Sequence, residues 1–396
     1  MNHLANAAPR EEGGISAPGN APGNAPGDTL APLLAEIRAR RGEFSAQRHV
    51  SPDIVEAFRR VGVYRAMVSR RFGGEERSPA EFCRLIERIS AADGSAGWVA
   101  SFGAAATYLA ALPEPTLRQV YAEGPDVVFA GGLFPLQPAR RVPGGFVVKG
   151  RWKFGSGCTG ASLIGVGIAV EGEQGGLPRV AVMPAGQVEI RPNWEVIGLQ
   201  GTGSHDLVVN DVFVPEEWTL IRGGPASVDS PAYRYPSLGL AAQVLAVVGL
   251  GVARAALDEV TEMAGGRASI TGAPRMADRP YVQSEVARAE ALLRSARAFF
   301  YEATEQVWAT AVAGGKLPVE EASLLRLAAT HAARTGAEVA RLACGLAGTT
   351  SIYEGHGLAR AMCDSLVVAQ HAFLGEGTLQ SAGRVLLGLP TTPGFP

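Results

Sequence analysis

His371 follows Asp364 by seven residues, Ser156 stands between two glycines at the end of an alternating run, and Glu354 and Glu376 each precede a glycine. Each residue type has a definite chemistry. A neutral imidazole, with a reference pKa of ~6.5, takes or gives a proton near neutral pH. A carboxylate can abstract a proton, and a hydroxyl can hydrogen-bond a polar ring edge. Each also has an ordinary role: a structural histidine, two surface glutamates, a turn serine bonded to its own backbone. Thr202 and Ser204, in Gly198-Leu199-Gln200-Gly201-Thr202-Gly203-Ser204, line a ligand or shape a turn. Trp98 flanks a ligand or fills a core, and Arg267, after Gly265-Gly266, meets an anion or balances a helix dipole. The other histidines, His3, His49, His205, His331 and His356, show no metal-ligand spacing, and Cys83, Cys158, Cys344 and Cys363 form no Cys-x-x-Cys pair. These cysteines read as reduced thiols of a cytoplasmic protein.

The element that must carry Ser156 is legible. From Phe146 to Phe154 the even positions are Phe, Val, Gly, Trp and Phe, and the intervening positions are Val, Lys, Arg and Lys. A period of two predicts a half-buried strand with its aromatics on the core and its cations in water. Gly155-Ser156-Gly157 then lets the backbone turn or approach a ligand closely. With 396 residues and 47% hydrophobic composition a large core is within reach, while a net charge of −2 and 19% charged residues exclude a nucleic-acid surface. No signal peptide or membrane span is expected, and no Gly-x-Gly-x-x-Gly opens a helix to hold a nicotinamide cofactor.

Along the chain, residues 1–28 repeat Pro-Gly-Asn-Ala and predict a disordered leader. Residues 29–125 read as a helical domain: one helix over 30–48, a restart at Ser51-Pro52-Asp53, another at Ser78-Pro79 with Glu81, and a buried helix over 96–112 containing Trp98. Short β-favouring runs fill 126–236 (Val127–Phe129, Phe146–Phe154, Leu163–Val170, Val180–Met183, Val188–Arg191, Glu195–Ile197, Leu207–Val214), predicting a mostly antiparallel barrel or sandwich. Residues 237–396 read as a four-helix bundle: two helices carry seams spaced by three and four, Val286 to Val307 and Leu325 to Leu346, with Leu238–Met263 and Leu358–Phe373 beside them. The fold class is α+β, mainly α.

This order of domains, with the motifs at its joints, resembles the acyl-CoA dehydrogenase superfold over the whole chain after the leader. Within it, Trp152-Lys153-Phe154-Gly155-Ser156-Gly157, Asp93-Gly94-Ser95-Ala96-Gly97-Trp98 and the Asp364/His371 spacing are most similar to the oxygenase components of two-component (group D) flavin-dependent monooxygenases. Cys363 stands where that pattern has an arginine.

The resemblance implies reduced FMN or FAD as a co-substrate from a separate NAD(P)H-dependent reductase. Oxygen would then form a C4a-hydroperoxide that oxidises a small organic molecule at an aromatic carbon, an amine or sulfur. It assigns Ser156 as donor to the flavin N5/C4a edge, aided by the backbone around Phe154, and His371, with Asp364, as acid/base. Trp98, Thr202 and Ser204 would flank the flavin, Arg267 would reach its phosphate, and the subunits would form a homotetramer. Aromatic hydroxylases of this kind carry a histidine where this chain has Thr107-Tyr108, so phenols are not the expected substrate. The rival readings are an FAD-containing acyl-CoA dehydrogenase and a non-catalytic scaffold. Against the first, the dehydrogenases' base would fall at Ala372, four residues before Glu376, and Glu354 falls before the Asp364 helix.

Overall fold

The computed structural model describes residues 30–170, 172, 177–266 and 274–392; the leader at 1–28 and Arg267 lie outside them. The helical N-terminal part comprises α1 (Leu30–Ala39), α2 (Arg41–Gln47), α3 (Pro52–Arg60), α4 (Pro79–Ala92), α5 (Gly94–Ser101), α6 (Ala106–Leu109) and α7 (Glu114–Val120). Ser78 and Glu81 close a capping box at the start of α4, and Asp93 ends α4 and caps α5. Two expectations are corrected. The helix over 30–48 is split between α1 and α2. The one over 96–112 breaks at a 3₁₀ turn, Phe102–Ala105, where a Cβ on Gly103 would stand 2.5 Å from the Val63 carbonyl.

The strands β1 (Phe129–Val142), β2 (Gly145–Gly155), β3 (Leu163–Val170), β4 (Arg179–Pro184), β5 (Glu189–Arg191), β6 (His205–Pro215) and β7 (Thr219–Ile221) form one sheet in the order β5-β6-β2-β1-β3-β4-β7. The β1–β3 pair is parallel and the other pairs antiparallel, so the sheet is mixed. Glu195–Ile197 is not a strand. β1 runs on through Pro135 and Pro138, a stretch whose prolines hide it from a strand reading. In β2 the alternation holds for Phe146, Val148 and Trp152, all buried, and fails at Phe154. That residue is 65% exposed at φ 63°. The expected core aromatic is therefore turned out at the end of the strand.

After the short α8 (Pro231–Arg234) come α9 (Ser237–Gly265), α10 (Pro280–Ala313), α11 (Val319–Ala347), α12 (Gly357–Ala369) and α13 (Glu376–Leu386). α9 is long and apolar enough to cross a membrane, but 89% of its most apolar window is buried inside the protein. It is the bundle's central helix, packed on α4, α11 and α12. Gly249 and Gly336 allow α9 and α11 to close up, since a Cβ on Gly336 would lie 2.7 Å from the Gly249 carbonyl. The seams hold at their centres: Ala289, Leu293, Ala296, Phe300, Ala303 and Val307 are buried on α10, as are Leu325, Ala328, Ala332 and Val339 on α11, while Val286, Leu342 and Leu346 at the ends are only partly buried. The fourth expected helix ends at Ala369, short of His371, and a fifth follows.

Candidate active site

The end of β2, the loop Gly198–Ser204, α5 and the turn after α12 meet around Ser156. Trp98 Nε1–H donates to Ser156 Oγ at 3.2 Å, Ser156 Oγ lies 2.7 Å from Ser204 Oγ, and Ser204 Oγ lies 2.7 Å from Thr202 Oγ1. Thr202 Oγ1 donates to the Leu199 carbonyl at 3.0 Å. Each hydroxyl has one proton. Because Thr202 gives its proton to a carbonyl, Ser204 donates to Thr202 and Ser156 donates to Ser204. The chain is thus polarised from Trp98 to Leu199, and Ser156 is left with a lone pair and no spare proton.

His371 closes the site. Its ring centroid is 5.9 Å from that of Trp98 and 5.1 Å from that of Phe373. It is not a helix residue, as expected, but caps the 3₁₀ turn Ala372–Leu374, with Nδ1 accepting from Phe373 N at 3.2 Å. Burial lowers its pKa from 6.5 to about 4. The imidazole is therefore neutral near pH 7, with its proton on Nε2, a hydrogen-bond donor and a weak base. Two residues before Ser156, Phe154 meets Trp194 edge to face at 6.1 Å. Trp194 was not singled out from sequence, nor was Ser95, whose Oγ accepts from Gly201 N at 3.0 Å and ties α5 to the loop.

Asp364 sits behind the loop and touches none of Ser156, Ser204 or His371 among the described hydrogen bonds. Its Oδ1 accepts from Leu199 N at 2.5 Å, and Leu199 is held at φ 51°, a left-handed value uncommon for a non-glycine residue. Burial, reinforced by the nearby Asp93, raises the Asp364 pKa to about 7. Asp93, also buried and also raised, caps α5 through Ala96 N at 2.9 Å. The two carboxyls line a narrow cleft with Arg41, Glu259 and Arg360. Arg360, one turn earlier on α12 than Cys363, and Arg41, from α2, face the pair.

Neither rival base points inward. Glu376 is 80% exposed at its side chain and pairs with Arg334 at 3.1 Å, and Glu354 is exposed. A residue overlooked in the sequence is Arg222, just past β7. Its guanidinium stacks 3.7 Å from the Tyr108 ring centroid and is almost wholly buried.

Hydroxyls in a polarised chain and a neutral imidazole thus come together near the end of β2, with an aromatic pair at that strand end. The fold is acyl-CoA dehydrogenase-like, and the family profile described as "Acyl-CoA dehydrogenase, C-terminal domain" matches residues 243–376. The indole-3-acetate monooxygenase of Pseudomonas putida is 58% identical over 359 residues, 90% of this chain and 92% of its own length. The oxygenase component of a FADH2-dependent resorcinol hydroxylase from Rhizobium is 34% identical over 63% of this chain and 65% of its own. In three dimensions, the crystal structure of 3-HSA hydroxylase from Rhodococcus superposes with a TM-score of 0.86 at 26% identity, covering 92% and 97% of the two chains. The chain belongs to the oxygenase components of two-component flavin-dependent monooxygenases. It uses reduced flavin from a separate reductase, with O2, to oxidise a small organic substrate.

Proposed function

We propose that this oxygenase oxidises indole-3-acetate or a closely related indole acid, using reduced FAD. The observation that carries the substrate is the 58% identity to the Pseudomonas indole-3-acetate monooxygenase along nine-tenths of the chain. The FADH2-dependent Rhizobium relative favours FAD over FMN. Bound reduced flavin would supply the two electrons that let one oxygen atom enter the substrate while the other leaves as water.

The chain's own residues do the rest. Ser156 presents a lone pair, which suits the N5–H of a reduced flavin and is mismatched to oxidised flavin, whose N5 is itself an acceptor. Trp98, Ser204 and Thr202 hold Ser156 in that polarity, Phe154 flanks the ring, and Asp364 keeps the loop in register through Leu199. His371, neutral, donates through Nε2–H. Its low pKa keeps a mobile proton away from the reacting oxygen. Arg267 remains the candidate for the flavin phosphate. The domain boundaries proposed are 29–125, 126–236 and 237–396, the location cytoplasmic, and the assembly a homotetramer. Exposed Ile352, Tyr353, Leu386 and Leu387 support the last, as apolar side chains that subunit contacts would cover.

The test is turnover under ¹⁸O2 with reduced FAD regenerated by a reductase. One ¹⁸O atom in the product of indole-3-acetate supports the reading; oxygen consumed entirely to hydrogen peroxide, with the indole recovered unchanged, refutes it.

A further inference from the structure

Three half-buried arginines elsewhere in this protein are answered by acids: Arg65 by Glu75 and Asp126, Arg254 by Asp258 and Glu290, Arg297 by Glu87; Arg41 instead bonds the Ala92 carbonyl. Arg222 is more deeply buried, at 8% exposure, and among the described residues no carboxylate faces it. Its neighbours are the Tyr108 ring, 3.7 Å beneath the guanidinium, and Ser237 Oγ at 3.4 Å. Arg326, equally buried and also without an acid, instead turns Nη2 onto the Phe373 carbonyl and Thr378 Oγ1. A buried, unanswered guanidinium is strongly disfavoured in a folded chain unless something else brings the counter-charge.

Tyr108 gives the location. It lies on α6, which follows α5 and its Trp98 through the Phe102–Ala105 turn, and that turn packs on β1. One short stretch of chain therefore carries both Trp98, bonded to Ser156, and Tyr108, beneath the Arg222 guanidinium. The planar fork of a guanidinium suits a carboxylate by two parallel hydrogen bonds, and its face is already held against an aromatic ring.

We infer that Arg222 is the receptor for the substrate's carboxylate, with Tyr108 holding the guanidinium in place, so that this enzyme selects aromatic monocarboxylates over their uncharged counterparts. The inference rests on the substrate reading above and names the residue behind it.

The experiment compares wild type with Arg222→Met and Arg222→Lys. Indole-3-acetate and 3-methylindole, which has the same ring without the carboxylate, are each assayed with reduced FAD regenerated by a reductase, and each is titrated calorimetrically into the flavin-free protein. Two charge-assisted hydrogen bonds correspond to about a hundredfold in affinity. Arg222→Met is expected to raise Kd and KM for indole-3-acetate by about that factor, with kcat changed by less than about fivefold and kcat/KM for 3-methylindole changed by less than about threefold. Arg222→Lys recovers part of the loss. The melting temperature of Arg222→Met is expected not to fall, because an unpaired buried charge has been removed. Equal losses on both molecules, or an unchanged Kd for indole-3-acetate, would overturn the inference. Should wild type oxidise neither molecule, the substrate reading fails separately. Titration with 4-hydroxyphenylacetate and benzoate then decides: binding that requires Arg222 upholds the receptor, and binding indifferent to it, or absent, overturns it.

Discussion

Asp364 and Asp93 are buried together behind the loop that carries Thr202 and Ser204, and their pairing has a measurable pH signature. A carboxyl whose pKa rises from 3.8 to about 7 on folding keeps a proton that the unfolded chain releases. Its contribution is therefore complete below pH ~4 and is lost as pH rises through 7. From pH 5 to the folded pKa is two units, and at 1.36 kcal/mol per unit the loss is about 3 kcal/mol by pH 8. That is an upper bound, because Asp93 shares the proton. Asp364→Asn keeps an oxygen for Leu199 N–H and cannot ionise. Urea unfolding of wild type and variant at pH 5 and pH 8, at constant ionic strength, is the assay. Relative to the variant, in which the opposing His371 contribution is the same, wild type is expected to weaken by up to about 3 kcal/mol over that range. Equal slopes would refute the assignment and place the titration elsewhere. Asp364→Ala, by contrast, leaves Leu199 N–H without its acceptor at a left-handed backbone position. It is expected to be destabilised at both pH values by about 1–3 kcal/mol.

Three further outcomes are expected. Glu376→Gln alters only a surface pair with Arg334, so turnover should stay within about twofold of wild type; a loss of tenfold or more would revive the dehydrogenase reading. His371 binds its proton less readily folded, at about 4, than unfolded, at 6.5, so its own contribution to stability, read as wild type minus His371→Gln, should fall as pH drops from 6.5 towards 4. A difference that stays flat would contradict the burial of the imidazole. Gly198→Ala would drive a Cβ into the Cys363 carbonyl, displacing the loop from α12. Its flavin affinity should fall at least tenfold while the far-ultraviolet circular dichroism is retained, and unchanged affinity would show that the loop does not hold flavin.

Legibility in the sequence follows locality. Ser156 can be found because its strand announces itself by alternation and its turn by glycines. The long helices show through their spacing by three and four. Capping at Ser78 and Asp93 fixes helix starts within a few residues of chain. What stays hidden depends on contacts distant in sequence. The polarity of the hydroxyl chain is set by Thr202 turning its proton onto Leu199, which no spacing reveals. Phe154 leaves the core because its backbone adopts a positive φ, against the pattern of its own strand. Arg222 reads as an ordinary strand-end cation until Tyr108, over a hundred residues earlier, is seen beneath it. The break between α5 and α6 comes from a close approach of Gly103 to Val63, while the alanine-rich sequence there favours one continuous helix. His371 falls off its helix for a similar reason: after Ala369 its own ring caps the next turn.

The account stands on Ser156 offering an oxygen lone pair to a reduced flavin. Its most direct test is anaerobic equilibrium binding of FADH2 and of FAD to wild type and Ser156→Ala. Wild type should bind the reduced form at least tenfold more tightly than the oxidised form, and Ser156→Ala should lose most of that difference. Equal affinity of wild type for both forms, or a preference that survives the substitution intact, would contradict it.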